Sequence, residues 1–219
     1  MPGSRTTLGS ALLMAGAALL LSGCTPRARE GAVVGGVVGG VVGAGVGTAA
    51  GSTAKGAIIG AVVGGAVGAI IGAQMDKQAN EMGKDIKGAR VERVGEGILV
   101  TFESGLLFDY DSDALRAETR NNLRELARSL NKYPNTDLLV VGHTDALGST
   151  SYNQGLSERR ARSATTYLMS QGVRDARIQS RGLGETEPVG SNETEAGRQR
   201  NRRIEVAIYA NKEFRGSGR

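Results

Sequence analysis

Residues 138–145 read Leu-Leu-Val-Val-Gly-His-Thr-Asp. Leu138 to Val141 is a short continuous apolar run, which predicts a strand buried on both faces in the middle of a sheet. Asp145 lies just past the carboxyl end of that strand, beside Gly142, His143 and Thr144. Sheets flanked by helices place ligands in crevices at strand carboxyl ends. Asp145 is therefore a candidate binding residue.

A helix is expected from about Ser151 to Gln171, with Gly172 at its end. Leu156, Ala164 and Leu168 form one apolar stripe on it, and Arg160 falls on the same stripe. An inward guanidinium needs a partner, because a buried unpaired charge costs several kcal/mol. Two readings stay open: an Asp145–Arg160 ion pair, or a pocket in which both grip a zwitterion, the Asp holding an ammonium and the Arg a carboxylate.

Further out, Ile98–Phe102 is a strand rich in β-branched and aromatic residues. Asp111, Ser112 and Asp113 offer N-caps for a helix running to Asn131, with apolar positions at Leu115, Leu123, Leu126, Ala127 and Leu130 and a stop at Pro134. Ile178 marks a short strand. Ile204, Val206 and Ile208 are read as alternating with polar residues in a last one. The order β-α-β-α-β-(α)-β predicts an α+β fold of two layers, a mixed sheet with helices on one face. The domain spans 97–211, after a polar linker at 74–96 and before a disordered tail at 212–219.

Phe108-Asp109, Gly142-His143-Thr144-Asp145, Asn153, Leu156-Ser157-Glu158-Arg159-Arg160-Ala161 and Asn201-Arg202-Arg203 together resemble the C-terminal domain of outer-membrane protein A, with relatives in peptidoglycan-associated lipoproteins and the flagellar stator protein MotB. The resemblance covers about Leu99 to Tyr209. It implies noncovalent binding of peptidoglycan through the diaminopimelate side chain. Asp145 would then hold the ammonium and Arg160 the carboxylate, with Arg202 in support. Asn153, Thr144 and Asp111 match further pocket positions, although some relatives carry Asn where Asp111 stands.

Gly31 to Gly72 is a second composition class of Gly, Ala, Val and Ile with one charge, Lys55. Glycines recur four apart, first from Gly31 to Gly51 and then from Gly56 to Gly72. Such a row makes a poor helix in water but a close-packing face in lipid. A glycine-zipper hairpin over 31–73 is expected, with Thr53-Ala54-Lys55 as its turn, inserted in the membrane or self-associating into a homo-oligomer. A flexible linker is the bland alternative, although linkers are usually Ser-rich and polar. The segment could also be the chain's principal element, an oligomeric membrane component with wall binding secondary.

Residues 1–23 read as an export signal: Arg5, then an apolar run from Leu8 to Leu21, too short for a span. The run closes in Leu21-Ser22-Gly23-Cys24, which resembles the bacterial lipobox. That resemblance implies acylation of Cys24, a lipidated start at 24–30 and anchoring in membrane lipid. Thr25 follows where Asp would retain such a protein at the inner membrane, so the expected location is the outer membrane.

Composition narrows the remaining classes. The single Cys precludes an internal disulfide, and the single His precludes a His-rich zinc site. Aromatics are only 4% with no Trp, against a stacking platform for nucleic acid. The net charge of +5 comes from arginines interleaved with acids, the pattern of a solvated face. Asp109, Asp111 and Asp113 begin like a calcium loop, but Ala114 and Arg120 stand where Gly and Glu are required. No strained G-x-S-x-G turn accompanies His143 and Asp145, so an enzyme is not expected. A proton-conducting stator would need an ionisable residue within its membrane helix, and only Lys55 is there. No cofactor and no metal are expected.

Overall fold

The computed structural model describes residues 51–217 apart from Tyr110, Glu118 and the side chain of Leu106. The export signal, Cys24 and the first half of the glycine segment lie outside the described residues.

Five strands form one mixed sheet. They are β1 (Ala89–Val94), β2 (Gly97–Glu103), β3 (Thr136–His143), β4 (Ile178–Gly182) and β5 (Arg203–Ala210), in the order β1-β2-β5-β3-β4. Only β3 and β4 run parallel; the other neighbours are antiparallel. The apolar run Leu138–Val141 sits in β3 between β5 and β4, as its composition requires. The expected α+β fold with a mixed sheet holds.

Even-numbered residues of β2, β3 and β5 (Ile98, Val100, Phe102, Leu138, Val140, Ile204, Val206, Ile208) face three long helices: α2 (Gly65–Asp85), α4 (Arg120–Lys132) and α5 (Thr150–Ser170). Strand side chains alternate between faces, so the odd residues point the other way. They are covered too. Helix α1 (Thr53–Gly60) lays Ala54, Ala57 and Ile58 on Leu99, Leu139, Val141, Ala207 and Tyr209. Helices thus lie on both faces, not one. Every residue of β5 is buried.

The second half of the glycine repeat therefore belongs to this domain. Thr53-Ala54-Lys55 is the first turn of α1, capped by the Ser52 hydroxyl, which accepts from Lys55 N–H at 3.1 Å. It is not a hairpin turn. Two of its glycines face inward: Gly56 is buried, and Gly68 lies under the Glu96 carboxylate, whose oxygens accept from Val63 and Gly64 N–H. No described helix is long and apolar enough to cross a membrane.

The stretch 74–96 is not a linker. Ile71, Met75, Ala79, Met82 and Ile86 recur at threes and fours and bury one face of α2 and its end in the main core. Charged residues between them mask this period in the sequence. Glu81 ties α2 to α4, accepting from Lys132 Nζ at 2.8 Å and from the Tyr133 hydroxyl at 2.9 Å. Strand β1 follows as an edge beside β2. The stretch 212–219 is not wholly disordered either. Lys212–Gly216 forms a short helix, α7, capped by the Asn211 side chain, with Phe214 against the core.

One buried charge holds the far end of α4. Arg177 donates to the carbonyls of Leu130 (3.0 Å), Tyr133 (3.2 Å) and Thr136 (2.6 Å), and to the Thr136 hydroxyl (2.9 Å). The Leu130 and Tyr133 carbonyls end α4 with no intrahelical donor, and Thr136 opens β3. Arg177→Met leaves them buried and unmatched, and is expected to cost about 3 kcal/mol in urea unfolding. A cost below about 0.5 kcal/mol would show that these bonds are not needed.

Candidate functional site

The segment between β2 and α4 departs from the expected helix. Helix α4 begins only at Arg120. Before it come a one-turn helix α3 (Ser104–Leu107), an isolated bridge from Phe108 to Leu115, and Asp111 at φ 56°. Asp and Asn tolerate this left-handed backbone better than other non-glycine residues. That accounts for the residue type at Asp111 and for the failure of a helix to start there. The loop instead brings the Ser112 carbonyl to Arg160.

Asp145 is placed by β3. A Cβ on Gly142 would collide with the Ser157 carbonyl oxygen, so this glycine lets α5 pack directly on the strand. Helix α5 carries Tyr152, Leu156 and Arg160 on one face, four residues apart. Arg202 is placed by Asn201, the buried last residue of helix α6 (Glu195–Asn201). The Asn201 side chain accepts from Val189 and Gly190 N–H at 2.8 Å each. It donates to the Gly190 carbonyl at 2.9 Å and to Asn192 Oδ1 at 2.8 Å. Asn192 Oδ1 in turn accepts from Ala146 N–H at 3.2 Å. The Asn-Arg pair thus locks its loop against the residue that follows Asp145.

These elements converge on one cavity of about 80 Å³. Asp111, Thr144, Asp145, Asn153, Arg160 and Arg202 all line it, so the structure brings together the six residues singled out in the sequence. Leu147, Tyr152 and Leu156 line it as well. A second cavity of about 310 Å³ shares Leu147, Arg160 and Arg202 with the first, forming one continuous groove. Tyr152 escaped the sequence reading, although its spacing from Leu156 and Arg160 was the signal that would have found it.

The pairing differs from the ion pair considered above. Asp145 Oδ2 accepts from Arg202 Nη1 at 2.6 Å, and Oδ1 accepts from Leu147 N–H at 3.0 Å. Arg202 Nη2 is shared between Glu195 (2.6 Å) and Gln199 (2.7 Å). Arg160 donates through Nε to the Ser112 carbonyl at 2.9 Å, and its guanidinium carbon lies 5.2 Å from the centre of the Phe108 ring. Its two terminal nitrogens have no protein acceptor among the described residues. Arg160 is only 5% exposed. Burial lowers its pKa from the ordinary value while Asp111 raises it, and it stays charged at neutral pH. Asp111 accepts from the Tyr152 hydroxyl, and Glu185 accepts from Asn153 Nδ2 at 2.5 Å. The arrangement presents a carboxylate held by Arg202 and, across a small cavity, an oriented fork of free N–H groups. It can clamp a small group bearing both charges.

His143 takes no part in this cavity. It points to the α1 side of the sheet, 1% exposed, 3.8 Å from Glu205, with neither ring nitrogen hydrogen-bonded among the described residues. Burial, reinforced by Arg203, holds its pKa well below the usual value. The unfolded chain therefore binds the proton that the folded one refuses. Stability contributed by the neutral ring is present above pH ~6.5 and is lost as pH falls toward the folded pKa, by up to ~1.4 kcal/mol per unit. His143→Gln should flatten that slope between pH 6.5 and 5 in urea titrations. An unchanged slope would place the acid sensitivity elsewhere.

The chain matches the model of the OmpA family over residues 107–202 and that of the YMGG-like Gly-zipper over residues 5–76. The outer-membrane lipoprotein YfiB of Pseudomonas aeruginosa is 40% identical over 115 residues, 52% of this chain and 68% of that one. The probable lipoprotein YiaD of Escherichia coli is 35% identical over 136 residues, 61% of this chain and 62% of that one. The chain thus spans between about three fifths and two thirds of the length of these two relatives. Among solved structures, the cell wall anchor of the type VI secretion system of Pseudomonas aeruginosa superposes with a TM-score of 0.56 at 31% identity, covering 61% of this chain and 97% of that one. The motifs lining the cavity fall within the matched region, the glycine row falls within the zipper match, and the chain belongs to the OmpA family as an outer-membrane lipoprotein with a glycine-zipper segment.

Proposed function

We propose that this lipoprotein anchors the outer membrane to the cell wall by binding peptidoglycan noncovalently, with diaminopimelate as the group it grips. The carrying observation is the cavity in which Asp145 and the free N–H fork of Arg160 face one small space. The diaminopimelate side chain ends in an ammonium and a carboxylate on one carbon, which matches that pair of charges. Its carboxylate lies on Arg160 as a bidentate pair. Its ammonium lies on Asp145, whose charge Arg202 only partly offsets. Asn153, Thr144 and Asp111 border the same space and complete the polar rim. The lipid on Cys24 holds the other end of the tether.

Relatives point the same way. The solved structure at 31% identity is itself described as a cell wall anchor. The sequence's one histidine, His143, is buried beside Glu205 and does not line the cavity. The test uses the full chain in nonionic detergent with purified sacculi. Co-sedimentation with diaminopimelate-type sacculi, competed by free meso-diaminopimelate and absent with lysine-type sacculi, is expected. Equal retention on both sacculi would overturn diaminopimelate as the ligand, and release of soluble wall fragments would overturn the binder.

A further inference from the structure

A cavity of about 640 Å³ lies outside the Asp145–Arg160 groove. Lys55 of α1, Arg90 of β1, Arg200 of α6 and Arg203 of β5 line it, together with Glu92 and Glu103. Glu92 pairs with Arg90 at 2.9 Å, while Glu103 accepts from the neutral Gln199 amide at 3.3 Å and keeps its charge. Arg203 is 2% exposed and gives Nε to Glu205 at 2.8 Å. Its Nη2 is buried with no hydrogen-bond partner among the described residues. Lys55 and Arg200 have no ion pair there either. Arg203 is held by Glu205, whose Oε2 is likewise buried and unmatched, while Lys55 and Arg200 outnumber the one unpaired acid, Glu103, and leave the cavity a surplus of positive charge that suits an anion.

The cations are held in place. Lys55 follows the capped start of α1, where Thr53 N–H and hydroxyl donate to Glu187 at 3.0 and 2.5 Å. Arg200 is on α6, next to Gln199, which accepts from Arg202. Adjacent helix residues point about 100° apart, so α6 sends Gln199 toward the Asp145 groove and Arg200 toward this second cavity. One short helix separates the two spaces.

We propose that this cavity is a second subsite for the cell-wall polymer, taking a free carboxylate of a stem peptide between Lys55, Arg200 and Arg203. The proposal rests on the wall-binding reading above and adds a contact that needs no diaminopimelate. It also gives α1 a part in binding, since Lys55 comes from the glycine segment.

The test titrates the full chain in nonionic detergent by NMR with three probes. These are diacetylated lysyl-D-alanyl-D-alanine (one carboxylate, no diaminopimelate), free meso-diaminopimelate, and inorganic phosphate. Wild type is expected to bind the tripeptide, and Lys55→Gln/Arg200→Gln to bind it at least roughly tenfold more weakly, having lost two charge-assisted contacts. Diaminopimelate binding should be unchanged in that variant. Arg200→Gln alone serves if the double variant misfolds. No tripeptide binding to wild type, or equal binding to the variant, overturns the proposal. Phosphate binding without tripeptide binding also overturns it, by moving the site to another anion. Tripeptide binding that depends on Lys55 and Arg200, with no diaminopimelate binding, upholds this subsite and overturns the Asp145–Arg160 pocket instead.

Discussion

Arg160→Ala is expected to lose retention on diaminopimelate sacculi by roughly 100-fold, about 2.7 kcal/mol, while the domain stays folded. The magnitude follows from two charge-assisted hydrogen bonds in a largely dehydrated cavity. The fold survives because Arg160 makes one hydrogen bond, to the Ser112 carbonyl, and leans on the Phe108 ring. Its removal leaves no buried acid without a partner, since Asp145 keeps Arg202 and Asp111 keeps Tyr152. Arg160→Lys keeps the charge but not the planar fork, and should recover only part of the affinity. Sedimentation with circular dichroism on the same samples decides it. A folded Arg160→Ala protein that sediments like wild type would end the case for this pocket. Arg202→Ala should differ: it strips Asp145 of its ion pair, so both binding and stability fall.

Ile58→Asp is expected to lower the melting temperature of the full chain by roughly 10 °C. Ile58 is 1% exposed, pressed between α1 and the sheet. Losing its packing alone costs ~2–5 kcal/mol, and placing a carboxylate there adds to it. For a domain of this size each kcal/mol moves the melting point by about 2–4 °C. The neighbouring Ile59 is 48% exposed, so Ile59→Asp should leave the melting point within about 2 °C, a change of the size expected for a surface site. The pair of variants separates two places for this part of the glycine segment. Equal, small effects would mean that Thr53–Gly60 is not docked on the sheet in the intact protein. The expected asymmetry would mean that it is.

Much of the domain was legible along the chain because its signals are local. An apolar run bounded by Gly142 made β3, the stripe through Leu156 and Leu168 made α5, and Gly172 closed it at φ 90°. Asp145 and Arg160 stood out because each broke a local pattern. Misreadings came where distant partners overruled local preference. Three acids looked like helix caps, yet Asp111 lines the cavity and the Ser112 carbonyl turns to Arg160. A polar composition concealed the period of Met75, Ala79 and Met82. Thr53–Gly60, with glycines spaced for a membrane helix, met an apolar sheet face and docked on it.

The sequence by itself determined the order of elements from β2 to β5 and, through the motifs it shares with the OmpA family, the six residues that the fold brings to one cavity. Periodicity, end signals and misplaced charges are written in neighbouring positions, so they need no knowledge of the rest of the chain. Only the tertiary structure decided that Asp145 pairs with Arg202 and not Arg160, that α1 closes the second face of the sheet, and that Arg203 is buried with an unmatched N–H. Each of these joins residues from separate elements, and which surfaces meet is settled by the packing of the whole core.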